Sequence, residues 1–220
     1  MSNKSFRKGI LYESIKRLID IVLSVIILII FFPVLLFVAI IIKLESSGPI
    51  LADTPPRVGR DGRTFKMYKF RSMVKNAHHL LRDDPRFAQL YHEYKKSSYK
   101  LKADPRITRF GKFIRKYSLD ELPQFVNVLF GDMSVVGPRA YYPDELENQQ
   151  KNYPHTKNAV RIVLSVKPGI TGFWQVNGRS EINFDKRIEM DAVYVKKRSI
   201  LYDCWLIFKT PWAMLSGKGV

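Results

Sequence analysis

The chain has 220 residues and a net charge of +17; the first 20 residues carry five basic and two acidic side chains, so +14 of that charge belongs to positions 21–220. Such a surface calls for anionic partners: lipid headgroups, phosphorylated substrates or nucleic acid. The single cysteine, Cys204, excludes an intrachain disulfide framework, and His78, His79, His92 and His155 have no metal-site spacing, so they are assigned to surface or packing roles.

Residues 1–17 read as a basic, partly amphipathic lead-in. Residues 18–44 follow as an apolar run, LIDIVLSVIILIIFFPVLLFVAIIIKL, with Pro33 near its centre. Ile21 to Ile42 alone would reach about 33 Å as a straight helix, enough to span a bilayer. It is too long for a cleaved signal peptide and has no small-residue cleavage site. Basic residues flank both ends: Lys4, Arg7, Lys8, Lys16 and Arg17 before, Lys43, Arg57, Arg60, Arg63, Lys66, Lys69 and Arg71 after. Positive flanks stay cytoplasmic, and both can do so only if the segment enters and leaves on one face. Pro33 supplies the break for a re-entrant hairpin with arms of about 12 and 9 residues. An ordinary span kinked at the proline is the alternative that these features leave open.

Residues 45–220 are enough for one domain with its own core. ILAD and RTFKMYKFRSM read as short strands around the turn Gly59-Arg60-Asp61-Gly62, a β-hairpin. Helices are expected over Asn76–Leu101 with an interruption at Pro85, then Arg109–Ile114 and Glu121–Leu129. Asp185–Lys197 and Leu201–Leu215, the latter broken at Pro211, complete the helices. Pro138–Pro143 and Val166–Gly172 read as loops. The fold class is α+β, helix-rich, with a small β element. Trp205, Phe208, Trp212 and Leu215 beside Lys209, with Lys196-Lys197-Arg198, fit an interfacial amphipathic helix at anionic headgroups, against a core-packed helix and a merely solvated charge run.

The chemical centre lies in Tyr117-Ser118-Leu119-Asp120-Glu121-Leu122-Pro123. On a helix adjacent carboxylates point about 100° apart, so one can face a reacting phosphorus while the other holds a cation. The structural alternative is a capping box of Ser118 and Glu121, against which Pro123 argues, because it would fall fifth in that helix and cost a hydrogen bond, whereas with Asp120 as cap it sits third and costs none. Arg115 precedes the pair by five residues and Gly137-Pro138-Arg139 follows, and guanidinium forks suit phosphate.

The stretch DPRITRFGKFIRKYSLDELPQFVNVLFGDMSVVGPR, preceded by YKFRSM and followed by VKPGITGFWQVNGRS and EMDAVYV, closely resembles the bacterial sugar transferases, the monotopic polyprenyl-phosphate phosphoglycosyl transferases. The resemblance runs from Lys16-Arg17-Leu18-Ile19-Asp20 to Lys209-Thr210. It implies transfer of a phosphosugar from a nucleotide sugar, usually a UDP-sugar, to polyprenyl phosphate at the cytoplasmic face of the inner membrane. It also implies Mg2+ and a re-entrant membrane helix. By that resemblance Asp120 is the nucleophile and Glu121 the Mg2+ ligand, Arg115 binds phosphate, and Pro138 and Arg139 belong to a nucleotide-binding loop. Lys69 and Asp191 match family positions whose roles are less specific. Ala140 departs from the family's second loop proline, Phe32 from a common serine, and Ile50-Leu51-Ala52-Asp53-Thr54-Pro55-Pro56 from a segment that usually carries aromatics and a glutamine. Larger members have an additional amino-terminal membrane region, so the chain reads as the catalytic unit alone. A membrane-tethered nucleic-acid or anionic-lipid binder is the rival by charge; no recognition module supports nucleic acid as a partner. A hydrolase using the same dyad is the rival among enzymes. The transferred sugar is not legible, and a homodimer is left open.

Overall fold

The computed structural model describes residues 3–96, 99, 101, 103–177 and 182–215, with side chains from Gly9 to Ala213 among them. The side chains of Lys4, Arg7, Lys8 and Leu215, residues 97, 98 and 100 of the helix expected to Leu101, and Gly178-Arg179-Ser180 lie outside the described residues.

Helix α1 (Asn3–Ile30) runs through the lead-in into the apolar run without a boundary at residue 17. A one-residue break at Phe31 separates it from α2 (Phe32–Glu45), and the two are bent by 61°. The break falls two residues before the expected position. Pro33 occupies the first turn of α2, where its missing N–H has no helical partner to lose, so it starts the second helix rather than sitting at the bend. Among the described residues no single helix is long and apolar enough to cross a membrane.

Both arms are tied to the same body of protein. On α1, the Arg17 guanidinium donates to the carbonyls of Val128 (2.5 Å) and Leu129 (2.8 Å), and buried Asp20 accepts from the Val135 amide at 3.0 Å. Lys16 pairs with Asp203 at 2.8 Å, and Tyr12 donates to the same carboxylate. At the end of α2, buried Arg71 donates to the carbonyls of Ser46 (2.8 Å), Ser47 (2.6 Å) and Ile42 (3.3 Å), satisfying acceptors that a helix C-terminus leaves open. Glu45 accepts from the Phe110 amide.

The hairpin is β1 (Arg57–Val58) antiparallel to β2 (Thr64–Phe65), joined by a 3-10 turn over Arg60–Gly62. ILAD and the KFRSM end of the other expected strand contribute only bridges, Leu51 to Phe70 and Met73 to Ile107. Next come α3 (Ala77–Asp83), a 3-10 turn at Pro85–Phe87, α4 (Ala88–Lys96) and α5 (Arg109–Lys116). The expected Glu121–Leu129 helix is α6 (Gln124–Phe130), preceded by a separate 3-10 turn at Leu119–Glu121. Strand β3 (Ser134–Val136) follows.

The expected loop at Val166–Gly172 contains β4 (Gly169–Thr171), parallel to β3. A Cβ at Gly169 would collide with the Gly137 backbone, so glycine here permits strand pairing rather than a turn. The crossover that parallel strands require is made by α7 (Pro143–Asn152) and α8 (Lys157–Leu164), elements for which the sequence pattern raised no expectation. Helices α9 (Phe173–Asn177), α10 (Phe184–Lys197) and α11 (Ile200–Leu215) complete the fold. Helix α11 continues through Pro211; the hydroxyl of the preceding Thr210 donates to the Leu206 carbonyl one turn back.

The main core gathers Leu122, which follows the 3-10 turn and precedes α6, Phe125 and Val128 of α6, Val135 and Val136 of β3, Tyr194 and Leu206, with Leu23, Ile27 and Leu35 of the broken apolar run packed against it. Other faces of that run stay bare: Ile29, Ile30, Phe32 and Leu44 are exposed, as are Leu201, Phe208 (80%) and Trp212 (78%) of α11. The latter three and Trp205 share one helical face while Leu206 and Asp203 on the other are buried. This excludes a wholly core-packed α11.

Asp20→Ala would leave the buried Val135 amide without its acceptor, an expected loss of about 1–3 kcal/mol. Thermal unfolding in detergent checks it; Asp20→Asn, which keeps an acceptor oxygen, should lose less.

Candidate active site

Three backbone segments lie side by side at the centre of the molecule. The Ala52 amide donates to the Lys69 carbonyl (2.8 Å), the Arg71 amide to Ile50 (2.9 Å), and the Phe70 amide to the Asp120 carbonyl (2.9 Å). The 50–52 segment, the 69–71 segment and the 3-10 turn are thus fastened in that order. Asn127, fully buried, locks the arrangement from α6: its side chain accepts from the Tyr68 amide at 2.8 Å and donates to the Lys66 carbonyl at 2.7 Å. The only sequence signal for Asn127 is a lone amide inside the apolar stretch Val126–Val128.

Helix α5 begins with Thr108 accepting from the Gly111 amide and ends at Lys116. Ser118 then turns the chain with φ of +55°, a left-handed conformation that costs a serine backbone energy and is found where a fold over-determines it. Ser118 makes no side-chain capping bond, so the capping-box alternative does not hold; the carboxylates instead leave a tight 3-10 turn. With about three residues per turn, Asp120 and Glu121 diverge by about 120°.

That divergence gives the two acids different surroundings. Asp120 is buried, and burial pushes its carboxyl up to about 6 against the opposing pull of Lys69. Glu121 keeps 36% of its side chain exposed and pairs with Lys69, Nζ to Oε1 2.6 Å. Burial alone would raise its carboxyl, but Lys69, then Arg139 and Arg115, hold it below the usual range. Glu121 is therefore the fixed anion, and Asp120 the more basic carboxylate. General chemistry makes the more basic oxygen the better nucleophile.

Both acids, Lys69, Arg115 and Arg139 line one cavity of about 800 Å³. Its wall continues to Leu23, Ile27 and Phe31 of the apolar run, so one cavity touches both the broken helix and the dyad. Arg139 sits 5.6 Å from the Trp174 ring.

The remaining candidates stand behind this wall. The Pro138 carbonyl accepts from the Gly169 amide (2.8 Å), fixing the loop to β4. Asp191 is fully buried on α10 and accepts from the Arg139 amide (3.0 Å) and the Tyr141 hydroxyl (3.4 Å). Burial pushes its carboxyl up to about 7, moderated by the Arg139 amide and Arg187. Asp191 thus holds the backbone that carries Arg139 rather than facing the cavity. Alongside it, the buried pair Arg187–Glu145 (3.4 Å) accepts the Tyr142 amide, a support that the sequence pattern did not disclose. Ala140, in place of a loop proline, is buried, and its carbonyl accepts from Arg57 at 3.1 Å.

Among the described residues no group of three or more metal-binding side chains occurs. Two adjacent carboxylates in a cavity that also presents Lys69, Arg115 and Arg139 nonetheless fit Mg2+, which binds through one or two carboxylates and completes its shell with water and substrate phosphate.

A family model described as "Bacterial sugar transferase" matches residues 11–217. The chain is 42% identical over 205 residues to the undecaprenyl-phosphate galactose phosphotransferase of Salmonella typhimurium, covering 93% of this chain and 41% of the relative. It is 38% identical over 201 residues to the UDP-glucose:undecaprenyl-phosphate glucose-1-phosphate transferase of Escherichia coli, covering 89% and 39%. To the exopolysaccharide production protein ExoY of Sinorhizobium fredii it is 36% identical over 204 residues, covering 93% and 87%. The chain spans about two fifths of the length of the first two of these relatives. With almost its whole length matched by the family model, the chain belongs to the bacterial sugar transferase family.

Proposed function

We propose that this chain transfers a sugar 1-phosphate from a UDP-sugar to a polyprenyl phosphate such as undecaprenyl phosphate, an initiating step in bacterial exopolysaccharide or capsule assembly. The observation that carries the reading is the Asp120–Glu121 pair, with Lys69 on Glu121, in a cationic cavity whose wall includes Leu23, Ile27 and Phe31 of the apolar run. Relatives named for undecaprenyl-phosphate sugar phosphotransfer support it.

In the first step Asp120 Oδ forms a bond to the sugar-linked phosphorus as the bond to the bridging oxygen breaks, and UMP leaves with that electron pair. In the second, a phosphate oxygen of the polyprenyl phosphate bonds to the same phosphorus and releases the Asp120 carboxylate, giving a polyprenyl diphosphate sugar. Splitting the displacement in two avoids assembling both large substrates at once. Arg115 and Arg139 line the cavity as guanidinium partners for the diphosphate, while Lys69 holds Glu121 ionised and oriented. Glu121 would hold Mg2+, which supplies charge neutralisation for the diphosphate when bound.

The apolar run is read as a re-entrant membrane segment at the inner membrane, with the domain on the cytoplasmic face. Support comes from the bent pair and from its two ends, both fastened to the same domain through Arg17, Asp20 and Arg71, where a spanning helix would put them on opposite sides. The exposed face of α11, with Lys209 over Trp205 at 4.2 Å, suits the headgroup layer.

Asp120→Asn is expected to lower kcat by about 1000-fold or more, and Glu121→Gln by about 100-fold with a raised Mg2+ requirement. UMP release with and without polyprenyl phosphate, together with mass spectrometry for a phosphosugar on Asp120, checks both. Full transfer by Asp120→Asn would remove it as nucleophile. For the topology, single cysteines at Gly9 and Ser47 in a Cys204→Ser background should react with an impermeant thiol reagent from the cytoplasmic side only; opposite sidedness would establish a span.

A further inference from the structure

The cavity has to accept a donor whose charge lies on its diphosphate, and the cationic lining answers that charge. One acid on its rim does not fit this electrostatic scheme. Among the acids lining the cavity, Glu121 pairs with Lys69, Asp104 pairs with Arg106 at 2.6 Å, and Asp120 belongs to the dyad. Asp53 is exposed and has no hydrogen-bond or ion-pair partner among the described residues. An unpaired carboxylate repels a diphosphate. It is, however, an acceptor for neutral hydroxyl donors, and two adjacent sugar hydroxyls can share its two oxygens.

The backbone leading into it is fastened. Ala52, the preceding residue, is bonded to the Lys69 backbone, and the 69–71 segment is bonded in turn to Asp120. Neighbouring extended segments lie about 4.8 Å apart, so Asp53 sits on the order of 10 Å from the dyad, across the Lys69 segment. Such a position suits the far hydroxyls of a hexose whose C1 phosphate is at Asp120. Pro55 and Pro56 follow at once, restricting Thr54 to extended backbone and fixing the approach to β1. Thr54 Oγ1 is buried without a partner, so this corner holds polar capacity that the fold itself does not use.

We infer that Asp53 is a specificity residue that reads hydroxyl groups of the transferred sugar. The assignment rests on the proposed phosphosugar transfer. Because Asp53 is exposed and unpartnered, Asp53→Ala and Asp53→Asn should fold as the parent does.

The test uses the full chain in nanodiscs with undecaprenyl phosphate, Mg2+ and a panel of UDP-glucose, UDP-galactose and their N-acetylated counterparts. In Asp53→Ala, kcat/KM for the preferred donor should fall about 10- to 100-fold, the size of a lost hydrogen bond to a charged group, with discrimination between epimers reduced and inhibition by UMP unchanged. Asp53→Asn, which keeps one acceptor oxygen, should lie between. Unchanged donor preference would overturn the assignment; so would an equal fall for every donor with weakened UMP inhibition, which would put Asp53 on the nucleotide. Thermal stabilisation by each UDP-sugar, compared with UDP, is read in parallel. Sugar-dependent stabilisation lost in Asp53→Ala, in a parent that transfers nothing, would sustain the binding assignment and reject the transferase reading; its absence from the parent would reject both.

Discussion

Three consecutive residues, Lys69-Phe70-Arg71, join the apolar helix to the chemistry. Arg71 closes on the last carbonyls of α2, the Phe70 amide holds the Asp120 carbonyl, and the Lys69 ammonium holds Glu121. Any movement of the apolar segment relative to the dyad must therefore strain or break hydrogen bonds on one short extended segment. The guanidinium bonds cap a helix end in a buried setting, where leaving the charge unmet is costly. The Lys69–Glu121 pair is partly in solvent, so its own contribution to stability is about 1 kcal/mol or less. Its consequence is electrostatic: it keeps one acid of the dyad anionic while burial makes its neighbour more basic.

A second polar layer lies behind the cavity wall. Asp191 grips the Arg139 backbone, and Glu145, neutralised by Arg187, grips that of Tyr142. A loop that presents a guanidinium to a phosphate would otherwise carry the entropy of an ordinary surface loop. Fastening its amides to buried acids removes that freedom before any substrate arrives. The same device works on α1, where Asp20 takes the β3 amide and Arg17 takes the end of α6.

Much of the architecture was readable from pattern. The break in the apolar run, the turn at Gly59–Gly62, the interruption at Pro85 and the helices expected at 109–114 and 185–197, observed at 109–116 and 184–197, follow from local rules of proline, glycine and apolar spacing. Where those rules erred, tertiary contacts had decided. Pro33 reads as the break but serves as the first turn of α2. Pro211 reads as an interruption, yet α11 runs through it. Glycines at 169 and 172 read as a loop, whereas their missing side chains let β3 and β4 come together. Helices α7 and α8 were not anticipated because a crossover exists only to connect parallel strands, and that pairing was not visible.

The sequence by itself determined the membrane-length apolar run with basic flanks, the adjacent carboxylates with arginines on either side, and the family that those motifs mark. These are matters of composition and short spacing, which survive without coordinates. Only the tertiary structure decided that Lys69 belongs to Glu121, that Asp191 supports a loop instead of lining the cavity, and that Asn127, Arg71, Glu145 and Arg187 hold the site together. Each of those partnerships crosses tens of residues of chain, where identity and local spacing carry no information about which buried donor meets which acceptor. It likewise placed Asp53, on a segment that departs from its family, beside the extended segment that holds the dyad.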